Sequence, residues 1–198
     1  PIRKFNCDGQ IAPLSPTTIN NQFTLTNMFS IGNTIYTTRS GGPAAYNSCT
    51  GALIGTMCLN DQNGNPLPNI NGIVRSQWNW GLSYNAVTQK VYATGVTSPR
   101  QSVWVFTENQ LDAGIAGGAC ISPLIPLGTT SVINIGDNFL PNNIEDLRGV
   151  VSDNAGNIYV TGWYAGNVGF ILKYNAAGQF QAATTTSSSY QLTCGIIW

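Results

Sequence analysis

The chain has 198 residues, no histidine, and eight basic side chains that are balanced by eight acidic ones. Only 8% of the residues are charged, against about 25% in ordinary soluble domains, so we expect no basic surface for nucleic acid. The lack of histidine excludes Ser-His-Asp triads, Cys-His nucleophile pairs and histidine metal sites. We therefore expect no enzymatic activity, no metal site and no cofactor.

The polar residues are mainly Asn, Thr, Ser and Gln rather than Lys and Glu. Such surfaces are typical of extracellular proteins, shells and filaments, and zero net charge removes the repulsion that keeps copies apart. No apolar run is long enough to span a membrane. The chain lacks an N-x-S/T glycosylation sequon, which favours a prokaryotic or viral source. Its start at Pro1 is interpreted as that of a mature chain or of a piece of a longer protein.

Short strands and turns are expected along the first third of the chain. Residues 31–38 (IGNTIYTT) predict a strand, and 40–48 predict a loop because they contain Gly-Gly-Pro. The apolar stretch 52–59 predicts a buried strand. Residues 61–72 (DQNGNPLPNING) are the strongest loop signal in the sequence.

A strand–turn–strand pattern occurs twice in the rest of the chain. Residues 147–178 hold two strand-like runs, 157–161 and 169–174, and the turn Asp153-Asn154-Ala155-Gly156 precedes the first run. Residues 80–106 form a weaker copy, in which KVYATG matches NIYVTG. Residues 31–38 are a third trace of the pattern. Repeated small sheets indicate an array of blades, because one such sheet cannot bury its own faces.

The motif DNAGNIYVTG followed by FILKYNAAG resembles the bacterial β-propeller repeat of secreted and surface proteins, and it is similar to NHL-type blades. The match is clear over 147–178 and degenerate over 80–106. The resemblance implies an all-β, propeller-like array of antiparallel blades. The uneven spacing of the copies predicts that this array is incomplete or irregular. The alternative is an ordinary β-sandwich with two similar hairpins.

We expect residues 1–198 to form one all-β domain, with two segments that are not strands. Residues 108–120 allow one helical turn, but their glycines disfavour a longer helix. The Thr/Ser run at 184–189 predicts a flexible connector.

Cysteine and aromatic residues supply the candidate site residues. The odd number of dispersed cysteines favours disulfides with one thiol left free or linked to another chain. A local bridge between Cys49 and Cys58 and a ring-closing bridge between Cys7 and Cys194 are two possibilities. The cysteine candidates are Cys7, Cys49, Cys58, Cys120 and Cys194.

Four aromatic residues are candidates for binding a ligand or partner, because exposed Trp and Tyr rings stack on sugars and fill protein interfaces. Trp78 and Trp80 alternate along one predicted strand, whereas Trp163 and Tyr164 follow the best-defined strand. The other interpretation is that they pack between blades. Among the carboxylates only Glu145 and Asp146 are adjacent, and strand neighbours on opposite faces suit a catalytic pair badly.

These features predict a secreted or cell-surface structural or adhesive protein that acts through self-association or partner binding. Its partners would be copies of itself or other surface proteins. The first alternative is a carbohydrate-binding module that uses the four aromatic residues to bind glycans. The second is an assembly subunit of a filament or virion, in which the strand ending at Trp198 is donated to the next copy.

Overall fold

The structure is a computed structural model, and it describes most of the central part of the chain. The described residues are 27–38, 43–56, 58–59, 69–70, 73–74, 81–97, 100–117, 120–121, 144–164 and 168–185. They form three antiparallel sheets and one helix, which confirms the all-β fold class.

The first sheet is a four-stranded meander near the start of the described chain. Its strands, in spatial order, are β1 (Met28–Ile31), β2 (Thr34–Thr37), β3 (Ala44–Asn47) and β4 (Leu53–Thr56). Three two-residue strands follow it: β5 (Cys58–Leu59), β6 (Asn69–Ile70) and β7 (Ile73–Val74). β6 and β7 pair with each other in antiparallel orientation.

The middle sheet has three strands and is followed by the helix. It consists of β8 (Leu82–Asn85), β9 (Lys90–Thr97) and β10 (Arg100–Thr107), with β9 at its centre. Helix α1 (Glu108–Gly117) leads to β11 (Cys120–Ile121), which pairs in parallel with β5.

The third sheet is again a four-stranded meander, with its strands in sequence order. They are β12 (Ile144–Ser152), β13 (Ile158–Tyr164), β14 (Val168–Tyr174) and β15 (Phe180–Thr185). The three segments that sequence analysis aligned therefore fall in three different sheets. The described residues show these sheets as separate units, without a closed ring of blades or a closed barrel.

The middle sheet lies between the other two, and its alternating side chains build two cores. Val91 and Ala93 on β9 belong to a cluster with Tyr36 of the first sheet and Leu111 of the helix. Tyr92, between them in sequence, belongs to a cluster with the third sheet. Because successive strand residues occupy opposite faces, one strand serves both cores. Three sheets in series differ from the two-sheet sandwich that was the alternative.

Four hairpin turns share one construction. In each, the side chain of an Asn or Asp at the end of a strand accepts hydrogen bonds from backbone amides further along the turn, as Asx turns do. The four residues are Asn47, Asn85, Asp153 and Asn175. Each turn also contains a residue with positive φ: Gly51 (71°), Gln89 (52°), Gly156 (82°) and Gly178 (77°).

The first sheet corrects three expectations. The strand expected over 31–38 is a hairpin, because Gly32, at φ 53°, reverses the chain between β1 and β2. The loop expected over 40–48 contains β3, whose Ala45 belongs to the same core cluster as Leu111 and Ile115 of α1. The strand expected to be buried over 52–59 has exposed side chains at Leu53 (54%) and Ile54 (52%), because β4 is an edge strand.

Two further corrections concern the helix and the connector. Helix α1 has 10 residues rather than one turn, because Thr107 and Gln110 form a reciprocal capping box: each backbone N–H donates to the other side chain, at 2.9 and 3.2 Å. The predicted connector 184–189 overlaps β15, in which Thr184 pairs with Ile171. β-branched threonine suits a strand. Residues 186–189 lie outside the described part.

Candidate functional site

Aromatic rings and carboxylates gather where α1 meets the first and middle sheets. Phe29 on β1 stacks on Tyr36 of β2, with ring centroids 5.1 Å apart, and on Tyr84 of β8, at 5.7 Å. The Tyr36 hydroxyl donates a 2.6 Å hydrogen bond to Asp112, and the Tyr84 hydroxyl donates a 3.3 Å hydrogen bond to Glu108. We call these five residues the tyrosine–carboxylate cluster.

The sequence builds this cluster from local patterns. Phe29 and Tyr36 are directly paired across the β1–β2 hairpin, so their rings meet on one face. Glu108 and Asp112 are four residues apart on α1 and therefore lie on the same side of the helix. The capping box starts the helix at Glu108, which fixes where both carboxylates fall.

The electrostatics favour a structural role over a catalytic one. Burial, the hydrogen bond to Asp112 and the negative charges of Asp112 and Glu108 all raise the pKa of Tyr36 above its usual value. Burial and Glu108 likewise raise the pKa of Tyr84. Both hydroxyls therefore stay protonated and act as donors near neutral pH. The aromatic rings stack on one another, and both tyrosine hydroxyls donate hydrogen bonds to carboxylates of α1. The cluster therefore links α1 to the first and middle sheets.

A second polar group joins the middle sheet to the third. The Asn85 side-chain amide donates to the carbonyl and hydroxyl of Ser152, at 3.3 and 2.8 Å, and to the carbonyl of Asp153 at 2.8 Å. Its carbonyl oxygen accepts from the amides of Val87 and Thr88 in its own turn. Asn85 is only 7% exposed, so its polar atoms depend on these partners.

Asp153 organises the turn that the sequence predicted. Its carboxylate accepts hydrogen bonds from the side chain and backbone of Asn157, from the Ala155 amide and from the Tyr159 hydroxyl. These bonds, that of the Asn157 side chain first, hold the pKa of Asp153 below its usual value. The stabilisation that Asp153 provides is thus present above the ordinary aspartate pKa and is lost as the pH falls through the lowered one.

The predicted aromatic residues are only partly within the described structure. Trp78 and Trp80 lie outside the described residues. Trp163 and Tyr164 form the end of β13, where Trp163 is paired with Asp146 and Tyr164 with Ile144. This end of the sheet is opposite the Asx turns. The glycan-binding hypothesis stays a prediction.

The described cysteines bear on one suggested pairing. Cys49 is an exposed free thiol in the Asx turn between β3 and β4. β4 then carries the chain about 13 Å away before Cys58, whereas a disulfide needs Cα atoms within about 7 Å. The suggested Cys49–Cys58 bridge therefore finds no support in the structure and stays a prediction. Cys7 and Cys194 lie outside the described residues.

Two kinds of site find no counterpart in the parts of the chain that the structure describes. Those parts contain no group of three Cys, Asp or Glu residues close enough to hold a metal ion. None of their helices is long and apolar enough to cross a membrane.

Comparisons with known proteins identify no family. No family model and no curated protein matches the chain. Among solved structures, it resembles the computationally designed protein Ika8, with 12% identity, a TM-score of 0.47, and coverage of 90% of this chain and 41% of Ika8. It also resembles the extracellular domain of the putative one-component system BT4673 from B. thetaiotaomicron, with 14% identity, a TM-score of 0.47, and coverage of 81% and 18%. The chain thus spans less than half of either protein.

We expect the same tyrosine-to-phenylalanine change to have opposite effects at two positions. Tyr36→Phe should destabilise the protein by about 1–2 kcal/mol, because it removes a hydrogen bond to a charged group. Tyr174→Phe should be neutral or stabilising by up to about 1 kcal/mol, because the Tyr174 hydroxyl is buried and has no hydrogen-bond partner among the described residues. Urea unfolding followed by tryptophan fluorescence measures both. Equal losses of stability in the two variants would show that the Tyr36 hydrogen bond adds no stability beyond that of burying the side chain.

Proposed function

We propose that the chain is a structural or adhesive β-sheet module of a secreted or cell-surface protein. It acts by associating with copies of itself or with other surface proteins, and not by catalysis. The observation that carries the proposal is the uncharged edge strand β15, whose sequence is FQAATT.

An edge strand without charged residues favours association between chains. Edge strands have unpaired backbone N–H and C=O groups that can form hydrogen bonds with a strand of another chain. Most proteins prevent such pairing with Lys, Pro or a covering segment. β15 carries none of these residues, and its Ala182 and Thr184 side chains are exposed. The edge strand β4 of the first sheet is also uncharged, with LIGT as its sequence and Leu53 and Ile54 exposed, but α1 packs against it at Gly55.

The chemistry of the chain supports binding over catalysis. Histidine is absent from the whole sequence, and in the tyrosine–carboxylate cluster both hydroxyls are donors with raised pKa values. A tyrosine of raised pKa is a poor base or nucleophile at neutral pH. Zero net charge leaves little long-range repulsion between copies.

Sedimentation velocity at micromolar concentration tests the proposal with a matched pair of lysine substitutions. Thr184→Lys places a charge on the β15 edge and should weaken self-association at least about tenfold. Ala177→Lys adds the same charge to an exposed turn position seven residues away and should leave association unchanged. All samples carry Cys49→Ser, so that intermolecular disulfides do not contribute.

The outcomes separate the edge from other surfaces. A parent chain that is monomeric at these concentrations would contradict self-association. Equal effects of the two lysines would mean that net charge, and not the edge, controls association.

A further inference from the structure

We propose that Cys58 and Cys120 form a disulfide bond that joins the end of the first sheet to the segment after α1. The inference rests on how the backbone places these two residues. It is independent of the proposed function, since a monomeric chain could carry the same bridge.

The backbone register brings the two cysteines side by side. β5 and β11 pair in parallel, with Cys120 opposite Cys58 and Ile121 opposite Leu59. Residues at one register position lie on the same face of a sheet, and neighbouring strands are about 4.8 Å apart. Disulfides span Cα separations of about 4.4–6.8 Å, so this position satisfies the distance requirement without movement of the backbone.

The packing just before the two strands holds them in place. A Cβ atom placed on Gly55 of β4 would lie 2.7 Å from the backbone carbonyl oxygen of Ile115 on α1. The helix backbone therefore touches β4 directly, three residues before Cys58 and five before Cys120. This contact brings β4 and α1, the elements that precede β5 and β11, close together.

Among the described residues, Cys49 is less suited to bond with either residue. Cys49 is an exposed free thiol on the far side of β4. Cys58 and Cys120 are therefore the two cysteines that described strands place opposite each other.

The bond would form by ordinary thiol–disulfide exchange with an oxidant such as oxidised glutathione or a thiol–disulfide oxidoreductase. The thiolate of one cysteine attacks a sulfur of the oxidant disulfide and releases one thiol. The second cysteine then attacks the mixed disulfide and releases the other. The two protein thiols lose two protons and two electrons in total, and the oxidant disulfide is reduced to two thiols.

Such a bridge would constrain the unfolded chain strongly. The loop that it closes is roughly 60 residues long and contains the entire middle sheet and α1. Cross-linking a loop of this length removes much conformational freedom from the unfolded state. We expect reduction to lower the melting temperature by roughly 10 °C.

A peptide map of the full chain, produced in an oxidising compartment, tests the bond directly. Free thiols are alkylated without reduction, and the chain is cut with cyanogen bromide and trypsin. Cyanogen bromide cuts after Met57, which separates Cys49 from Cys58. We expect a fragment of 58–75 linked to a fragment of 101–148, and alkylation on Cys49. Alkylated Cys58 and Cys120, or a link from either to another cysteine, would overturn the proposal.

Thermal melting gives a second measurement. The double variant Cys58→Ser/Cys120→Ser should melt roughly 10 °C below the parent without any reductant, whereas Cys49→Ser should melt like the parent. A double variant as stable as the parent would also overturn the proposal.

Discussion

Replacing Gly81 by alanine is expected to destabilise the protein by about 3 kcal/mol, at the upper end of the usual overpacking range. A Cβ atom at this position would lie 2.7 Å from the Thr94 hydroxyl oxygen, 3.0 Å from the Val150 amide nitrogen and 3.1 Å from the Arg148 carbonyl oxygen. Two of these atoms belong to the backbone of β12, so no side-chain rotation relieves the contact. The middle and third sheets would have to separate where they touch.

The matched control is Gly32→Ala. Gly32 has φ 53° and no atom within 4 Å of its would-be Cβ, so alanine meets only backbone strain, about 1–2 kcal/mol. Urea unfolding at constant pH compares the two variants, and an unchanged m value shows that each still unfolds from the same native state. Equal losses of stability in the two variants would mean that β12 does not lie close enough to Gly81 to exclude a Cβ atom.

The turns and strands of the third sheet could be predicted from sequence because their signals are local. The motif Asp153-Asn154-Ala155-Gly156 predicts a turn, and the flanking β-branched and aromatic residues predict strands. The same rules overlooked α1, although its signal was present in the sequence. Thr107-Glu108-Asn109-Gln110 is a capping box, and it outweighs Gly114 within the helix.

The tyrosine–carboxylate cluster could not be predicted in the same way. Its main bond joins Tyr36 to Asp112, 76 residues further along the chain. No local pattern specifies that α1 folds back over the first sheet. The pairing of β5 with β11 has the same character, because it depends on where the helix ends in space rather than on any motif around Cys58 or Cys120.

Long-range contacts of this kind also hold the three sheets together in series. Each face of β9 packs against a different neighbouring sheet, so the middle sheet has no free face at its centre. The outer sheets end in the uncharged edge strands β4 and β15. Association at an edge extends a sheet and leaves both cores intact, which is the behaviour that the proposed module requires.

Asn85→Ala is expected to cost about 3 kcal/mol, because it removes a side chain that serves two turns at once. Its amide group links β8 to Ser152 and Asp153 at the end of β12, at distances of 2.8–3.3 Å. Its carbonyl oxygen satisfies the amides of Val87 and Thr88. Alanine would leave these partly buried groups without their partner and would break this polar link between the middle and third sheets.

Asn175→Ala is the matched control, because Asn175 builds the same kind of turn between β14 and β15. Its carbonyl oxygen also accepts two backbone amides, from Ala177 and Gln179, but its bonds stay within its own exposed turn. Its loss should cost about 1 kcal/mol. Thermal melting should therefore show a drop of roughly 10 °C for Asn85→Ala and roughly 3 °C for Asn175→Ala. If the two drops were equal, the Asx turn alone would account for the role of Asn85, and the sheets would be held together by their apolar cores.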